Sequence, residues 1–194
     1  GKILIAGVTD AQPAGGTGTS MNYGVVRLND NGTLDTSFGD LQGTGSARTG
    51  KALLDLRNLS WDGAKSVTTL SDGKIVIAGT TTAQPAGVTG FQPNYGVVRL
   101  NANGTLDTSF GTSGRALLDL GSDSDDNAYS IVSQSDDKIV IVGSTNAQPV
   151  DATGNNDLNF GVLRLNEDGS LDTTFNDPTT VSYTHLTLPT ILLV

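Results

Sequence analysis

The residues predict an all-β fold, a partial β-propeller of tandem four-stranded antiparallel blades, and three observations lead there. The first is internal repetition: GKILIAG at Gly1 returns as GKIVIAG at Gly73 and as DKIVIVG at Asp137, spacings of about 72 and 64 residues. The second is that a longer block follows each copy in the same order: NYGVVRLNDNGTLDTSFG from Asn22, NYGVVRLNANGTLDTSFG from Asn94 and NFGVLRLNEDGSLDTTF from Asn159. The third is texture. Short apolar runs alternate with Thr, Ser, Asn and Asp, 25 of the 194 residues are glycine, and no long helical pattern competes. A β-rich chain with many turns reads this way.

Each unit offers four stretches of strand length. The first is WDGAKSVTTL from Trp61, matched by DNAYSIVSQ from Asp126. A tight Ser-Asp-Gly or Ser-Asp-Asp turn leads into the second, KIVIAG from Lys74. There both alternating sets, Ile75 with Ile77 and Val76 with Ala78, are apolar, so the strand is expected to be covered on both faces. The third stretch ends at Asn31-Gly32, Asn103-Gly104 or Asp168-Gly169, dipeptides that tolerate positive φ and close hairpins. The fourth is GKALLDL from Gly50 and GRALLDL from Gly114. Antiparallel four-stranded sheets stacked face to face satisfy this pattern. A propeller closes such a stack into a ring and suits the period better than a β-helix; a β-sandwich of consecutive hairpins is the alternative. The units read as residues 1–72 (second, third and fourth stretches, then the first of the next blade), 73–136 and a shortened 137–180.

Charge and composition exclude several functions. A formal charge of −9 does not suit a nucleic-acid module, which needs clustered Lys and Arg. No membrane insertion is expected. Absence of cysteine removes disulfides, thiol catalysis and cysteine-bound zinc, and leaves the compartment open. The chain opens at Gly1 in mid-repeat, with no methionine or targeting segment, so it is expected to be cut from a longer array at both ends.

The combination of DGKIVIAG, NYGVVRLNANGTLDTSFG and a Gly-Arg or Gly-Lys strand resembles the delta-60 repeat, a module found in tandem in large exported bacterial proteins. The resemblance covers essentially residues 1–180, with the loops between second and third stretches lengthened here. It implies a propeller-like repeat in an accessory part of surface or secreted proteins, and it brings no catalytic residues. After Thr180 the pattern stops. VSYTHLTLPT from Val181 looks like a translated sequencing adapter, with a divergent closing strand as the other reading, so residues 181–194 are expected to have no part in function. That also removes His185, the only histidine.

Asp35, Asp107 and Asp172 recur in LDTSF or LDTTF, and Arg27, Arg99 and Arg164 recur in the third stretch. Recurrence argues against catalysis, which needs one site per ring. A turn made in every blade needs the same side chain each time, and a half-buried guanidinium needs a carboxylate partner, so these form a structural pair. Asp123, Asp125 and Asp126 in GSDSDDN are weak calcium candidates without the spacing of an EF-hand; no cofactor is otherwise expected. AGGTGTS from Ala14 lacks the Lys of a phosphate loop. Trp61 reads as packing more readily than as a sugar platform. The sequons at Asn31, Asn58 and Asn103 carry little, two being turns.

In an up-and-down sheet alternate links emerge on one side. The inserts 9–21, 81–93 and 145–158 therefore share a face with the fourth-to-first links, and the two tight turns share the other. The inserts keep Ala-Gln-Pro at Ala11, Ala83 and Ala147 and then diverge, and surplus loop on a rigid scaffold is where recognition sits. The function expected is a noncatalytic module of a secreted or cell-surface bacterial protein, a binding platform for a glycan or protein partner or a structural spacer that presents neighbouring domains. The rival is a fragment of a propeller glycosidase or lyase, its acid pair on nonrepeated loops such as Asp123, Asp125, Asp151 and Asp157.

Overall fold

The computed structural model describes residues 1–14, 19–43, 45–57, 59–121, 124–147 and 158–175. Asp123, Asp151, Asp157, Asn58, most of the third insert and the segment 181–194 with His185 lie outside the described residues.

Every regular element among the described residues is a strand. The first sheet holds β1 (Lys2–Thr9), β2 (Asn22–Asn29) and β3 (Lys51–Leu54) in that order. The second is four-stranded: β4 (Asp62–Thr69), β5 (Ile75–Thr81), β6 (Asn94–Leu100) and β7 (Arg115–Leu118). The third contains β8 (Asp126–Ser133), β9 (Ile139–Thr145) and β10 (Asn159–Leu165). All pairings are antiparallel between consecutive strands. These are blades of a β-propeller. β4 lies against β1 on one side and β8 on the other, so the same edge of each sheet gathers at the inside of the stack.

Two apolar layers join the sheets. Tyr23, Val25, Leu54 and Leu56 of the first pack on Ala64, Ile75, Ile77 and Val98 of the second. Tyr95, Val97, Ala116 and Leu120 of the second pack in the same way on Ala128, Ile139, Ile141 and Leu163 of the third. The middle sheet is therefore covered on both faces, and β5 and β6 are buried along their whole length. Period-two alternation with apolar residues on both sides dictates this.

The tight third-to-fourth turn expected from Asn-Gly needs correction. Gly32, Gly104 and Gly169 do adopt φ of 81°, 84° and 85° in that turn. The turn, however, only returns Leu34, Leu106 and Leu171 to bridge Leu28, Leu100 and Leu165. The chain then folds again: the Asp35 N–H donates to the Arg27 carbonyl and the Phe38 N–H to the Asp35 carbonyl, both at 3.0 Å. This second turn drops fully buried Phe38 and Phe110 between sheets before the fourth strand begins. Burial of an aromatic ring accounts for the longer path.

Candidate functional site

The inserts leave from the end of β5 and return at the start of β6, where Thr81 pairs with Asn94. Their bases are locked by a repeated set of bonds. The Thr81 hydroxyl accepts the Ala83 N–H at 2.9 Å, and Asn94 Nδ2 donates to the Ala83 and Gln92 carbonyls. Gln84 Nε2 donates to the carbonyls of Thr82 and Gln92. In the first insert Thr9, Ala11, Gln12, Ser20 and Asn22 repeat the scheme, and Thr145, Ala147 and Asn159 repeat part of it in the third. The shared Ala-Gln pair is thus a clamp that satisfies backbone groups where the chain leaves the sheet.

The fourth-to-first links emerge at the same end, since Asp62 pairs with Thr81. Arg57 Nη1 donates to the Gln84 carbonyl at 2.9 Å and ties that link to the second insert. Trp61 exchanges bonds with Thr82, its N–H donating to the hydroxyl and its carbonyl accepting the amide. Its indole covers Gly63 and remains 43 % exposed. Asp125 takes the same place in the third sheet, bonded to Asn146. Phe91, at 91 % exposed, Met21, Leu59 and Leu158 add apolar surface in this region.

Beneath these links sit two buried carboxylates. Asp62 accepts from the Leu56 N–H, the Ser60 hydroxyl and the Thr81 hydroxyl. Asp126 accepts from the Leu120 N–H at 2.7 Å and from the Ser124 hydroxyl. Burial raises both carboxyls, and those hydrogen bonds only partly offset it. Asp126, one of the calcium candidates, is therefore buried under its own loop, whereas Asp125 is exposed. Among the described residues no three His, Cys, Asp or Glu side chains are placed to share a metal ion.

At the opposite end of the sheets lie the recurring Arg and Asp. Arg27 Nε stands 2.7 Å from Asp35 Oδ2, and Arg99 and Arg164 stand 2.8 Å from Asp107 and Asp172. Ser37, Ser109 and Thr174 give each carboxylate both an N–H and a hydroxyl. Each guanidinium lies 4.5–4.7 Å from the ring of Phe38, Phe110 or Phe175. Lys2, Lys74 and Lys138, at 3.1, 3.5 and 2.8 Å, add a second cation. The Ser37 hydroxyl and its neighbours hold Asp35 well below the usual carboxylate range, and Lys138 and Thr174 do the same for Asp172. Burial pushes Asp107 up, but Ser109 and Arg99 outweigh it and hold it at about 2.

The arginines also cross between sheets. Arg27 Nη1 donates to the Ala102 carbonyl and Arg99 Nη1 to the Glu167 carbonyl, each on the turn of the following sheet. The Lys, the Phe and this cross-sheet reach were not singled out in the sequence. The available signal was recurrence: each Phe follows its Arg at one fixed offset, and each Lys opens the second strand of its unit.

A family model described as a β-propeller domain of unknown function, DUF5122, matches residues 1–38, 70–110 and 134–175. The chain belongs to this family. Each DUF5122 match runs through a second strand, an insert and a third strand, and ends at or beside the Phe beneath an arginine. The family unit thus contains both the insert clamp and the Arg–Asp pair. No curated protein matches the chain. No helix among the described residues is long and apolar enough to cross a membrane.

Proposed function

We propose that this DUF5122 chain is a noncatalytic module of a secreted or cell-surface bacterial protein, and that its insert-bearing face binds a glycan or protein partner. The carrying observation is the clamp. Thr81, Gln84 and Asn94 fix the base of an insert to two fully buried strands, and the tip beyond them differs between units. A rigid base with a variable tip is how recognition loops are presented. Exposed Trp61 beside the clamp supplies an aromatic surface of the kind that interfaces use. The recurring carboxylates support a noncatalytic role, because each is already ion-paired with an Arg and a Lys and accepts from a hydroxyl. The resemblance to delta-60 repeats supports export and a bacterial source. On this reading residues 181–194 take no part.

The test is to screen the chain against glycans and against cell-surface proteins, two arms that separate the partner classes. The screen is repeated with Trp61→Ala and with the tip of the second insert, Pro85 to Phe91, replaced by a two-residue turn. Loss of a captured partner in both variants is expected. Unchanged capture, or none by the parent chain, removes the binding reading.

A further inference from the structure

β3 and β7 form the outer rims of the first two sheets, and the chain finishes those rims differently. On the first, the Asp40 N–H donates to the Lys51 carbonyl and the Asp40 carboxylate accepts the Leu53 N–H at 3.0 Å. Arg48 lies beside it, donating to the Gly39 carbonyl. Thr112 holds the place of Asp40 on the second rim: its N–H donates to the Arg115 carbonyl at 2.7 Å. Gly39 and Gly111 precede the two residues, and a Cβ at either would collide with that same strand carbonyl. Threonine brings no carboxylate. Because the Arg99 N–H takes the Gly114 carbonyl, strand alternation turns the backbone groups of Arg115 and Leu117 to the rim. Thr112 satisfies Arg115, but the Leu117 N–H, counterpart of the Leu53 N–H, has no carboxylate to meet.

Leu117 borders a groove of about 490 Å³ whose lining includes Arg57 after β3, Gln84 of the second insert, Arg115 of β7 and Asp168 on the turn of the third sheet. All three sheets build it, so it lies within the array; a further repeat stacks on the face of a sheet and leaves this rim open. Both guanidinium groups are anchored on carbonyls: Arg57 Nη1 on Gln84 at 2.9 Å, and Arg115 Nε and Nη1 on Asp55 and Ser113 at 3.0 Å. Among the described residues no carboxylate is ion-paired with either, in contrast to Arg27, Arg99 and Arg164. Asp168, the acid in the lining, has its Oδ1 on the Ser170 N–H and hydroxyl, and the Asp55 carboxylate does not line the groove. Two arginines without carboxylates, on a chain of net charge −9, make this a local site for an anion. Neither Trp61 nor the insert beyond Ala86 lines it, so it is separate from the insert tip.

We propose that this groove binds an extended acidic segment of a partner protein, laid along β7 with one Asp or Glu carboxylate on the Leu117 N–H and others toward Arg57 and Arg115. The first sheet supplies the template: Asp40 pairs its backbone with the rim strand and sets its carboxylate on the equivalent amide, beside an arginine. The second sheet keeps the amide and the arginines and leaves the carboxylate to the partner. A strand edge selects a peptide over a sugar, because its N–H and C=O groups repeat at the spacing of another strand. Side chains at alternate positions of that strand face the same way, which lets one segment present several acids to the groove. β7 is only Arg115–Leu118, so the contact is short and depends on charge.

The experiment is fluorescence anisotropy of the whole chain with a fluorescein-labelled peptide of about eight residues that alternates Asp with Thr, long enough for one strand. The same peptide with Asn for Asp and a sulfated heparin oligosaccharide are the other arms. The acidic peptide is expected to bind and to weaken with added salt, and the Asn peptide to stay free. Arg57→Gln and Arg115→Gln are each expected to weaken binding roughly two- to tenfold. Thr112→Asp gives the second rim the carboxylate that the first has in Asp40. Thr112 is exposed, so the fold is kept, and this variant is expected to lose the peptide and to slow amide exchange at Leu117. Circular dichroism verifies folding; should Arg115→Gln fail to fold, Arg57→Gln and Thr112→Asp decide. No binding by the parent chain, equal binding of the Asn peptide, or undiminished binding by Thr112→Asp overturns the proposal. Tighter binding of the oligosaccharide, lost in the same variants, assigns the groove to an anionic glycan and overturns the peptide as its occupant.

Discussion

Arg99 holds more partners than a surface ion pair allows. Its side chain is 3 % exposed, it pairs with Asp107 and reaches Ser109, and it stacks on Phe110 while holding the next sheet's turn. A buried pair is costly to split because the remaining charge is left without compensation. Arg99→Ala or Asp107→Ala is therefore expected to destabilise by about 3–5 kcal/mol, with a clear coupling term in a double-mutant cycle from urea unfolding. Independent, additive losses would refute the pairing as an energetic unit. Acid sensitivity follows from the same carboxylate. Asp107 is held at about 2 in the folded chain, against about 4 when unfolded. Its stabilisation is present above about 4 and is lost as pH falls toward 2. Asp62 and Asp126 act in the opposite sense: burial raises them, so their contribution is greatest below about 4 and declines as pH rises through their folded values. Asp107→Asn should lower the urea midpoint at pH 7 and flatten its fall between pH 4 and 2. An unchanged acid limb would assign that fall to other groups.

Among the elements, the inserts depend on their clamps. Asn94 is 1 % exposed and donates to the carbonyl of buried Ala83 and, together with Gln84, to that of Gln92. Asn94→Ala removes both bonds and strips the buried Ala83 carbonyl of this donor, a loss of about 1–3 kcal/mol. The effect should centre on the insert, seen as faster amide exchange at Ala83 with little change at Val97. Equal acceleration at both sites would make Asn94 part of the general core. The double turn after β2 and β6 is the element least visible in the sequence. Asn-Gly announces the first turn through its φ, but the second exists because Phe38 and Phe110 find room between two sheets. That room belongs to no single strand.

Across the whole molecule, stability is shared between neighbouring sheets, as in other repeat architectures. Among the described residues, the middle sheet has apolar cover on both faces, while the first and third are each covered on one. Amide exchange is therefore expected to be slowest in β5 and β6, intermediate in β2 and β9, and fastest in β1, whose pattern is largely exposed or half-buried. Protection of β1 equal to that of β5 would mean that something covers Ile3 and Ile5 in solution. The sequence by itself determined the strands, their antiparallel order and the stacking of sheets, because period-two patterning with apolar residues on both faces has few solutions. It also marked the Arg and Asp as recurring positions. Only the tertiary structure decided what those positions touch: Arg99 on the turn of the next sheet, Tyr95 on Gly161, Asp62 and Asp126 beneath their loops. The Arg99 and Tyr95 contacts join residues 68 and 66 positions apart, and such pairings are set by how the sheets stack. Asp62 and Asp126 bond to Leu56 and Leu120 only six positions away, but across the link between one sheet and the next.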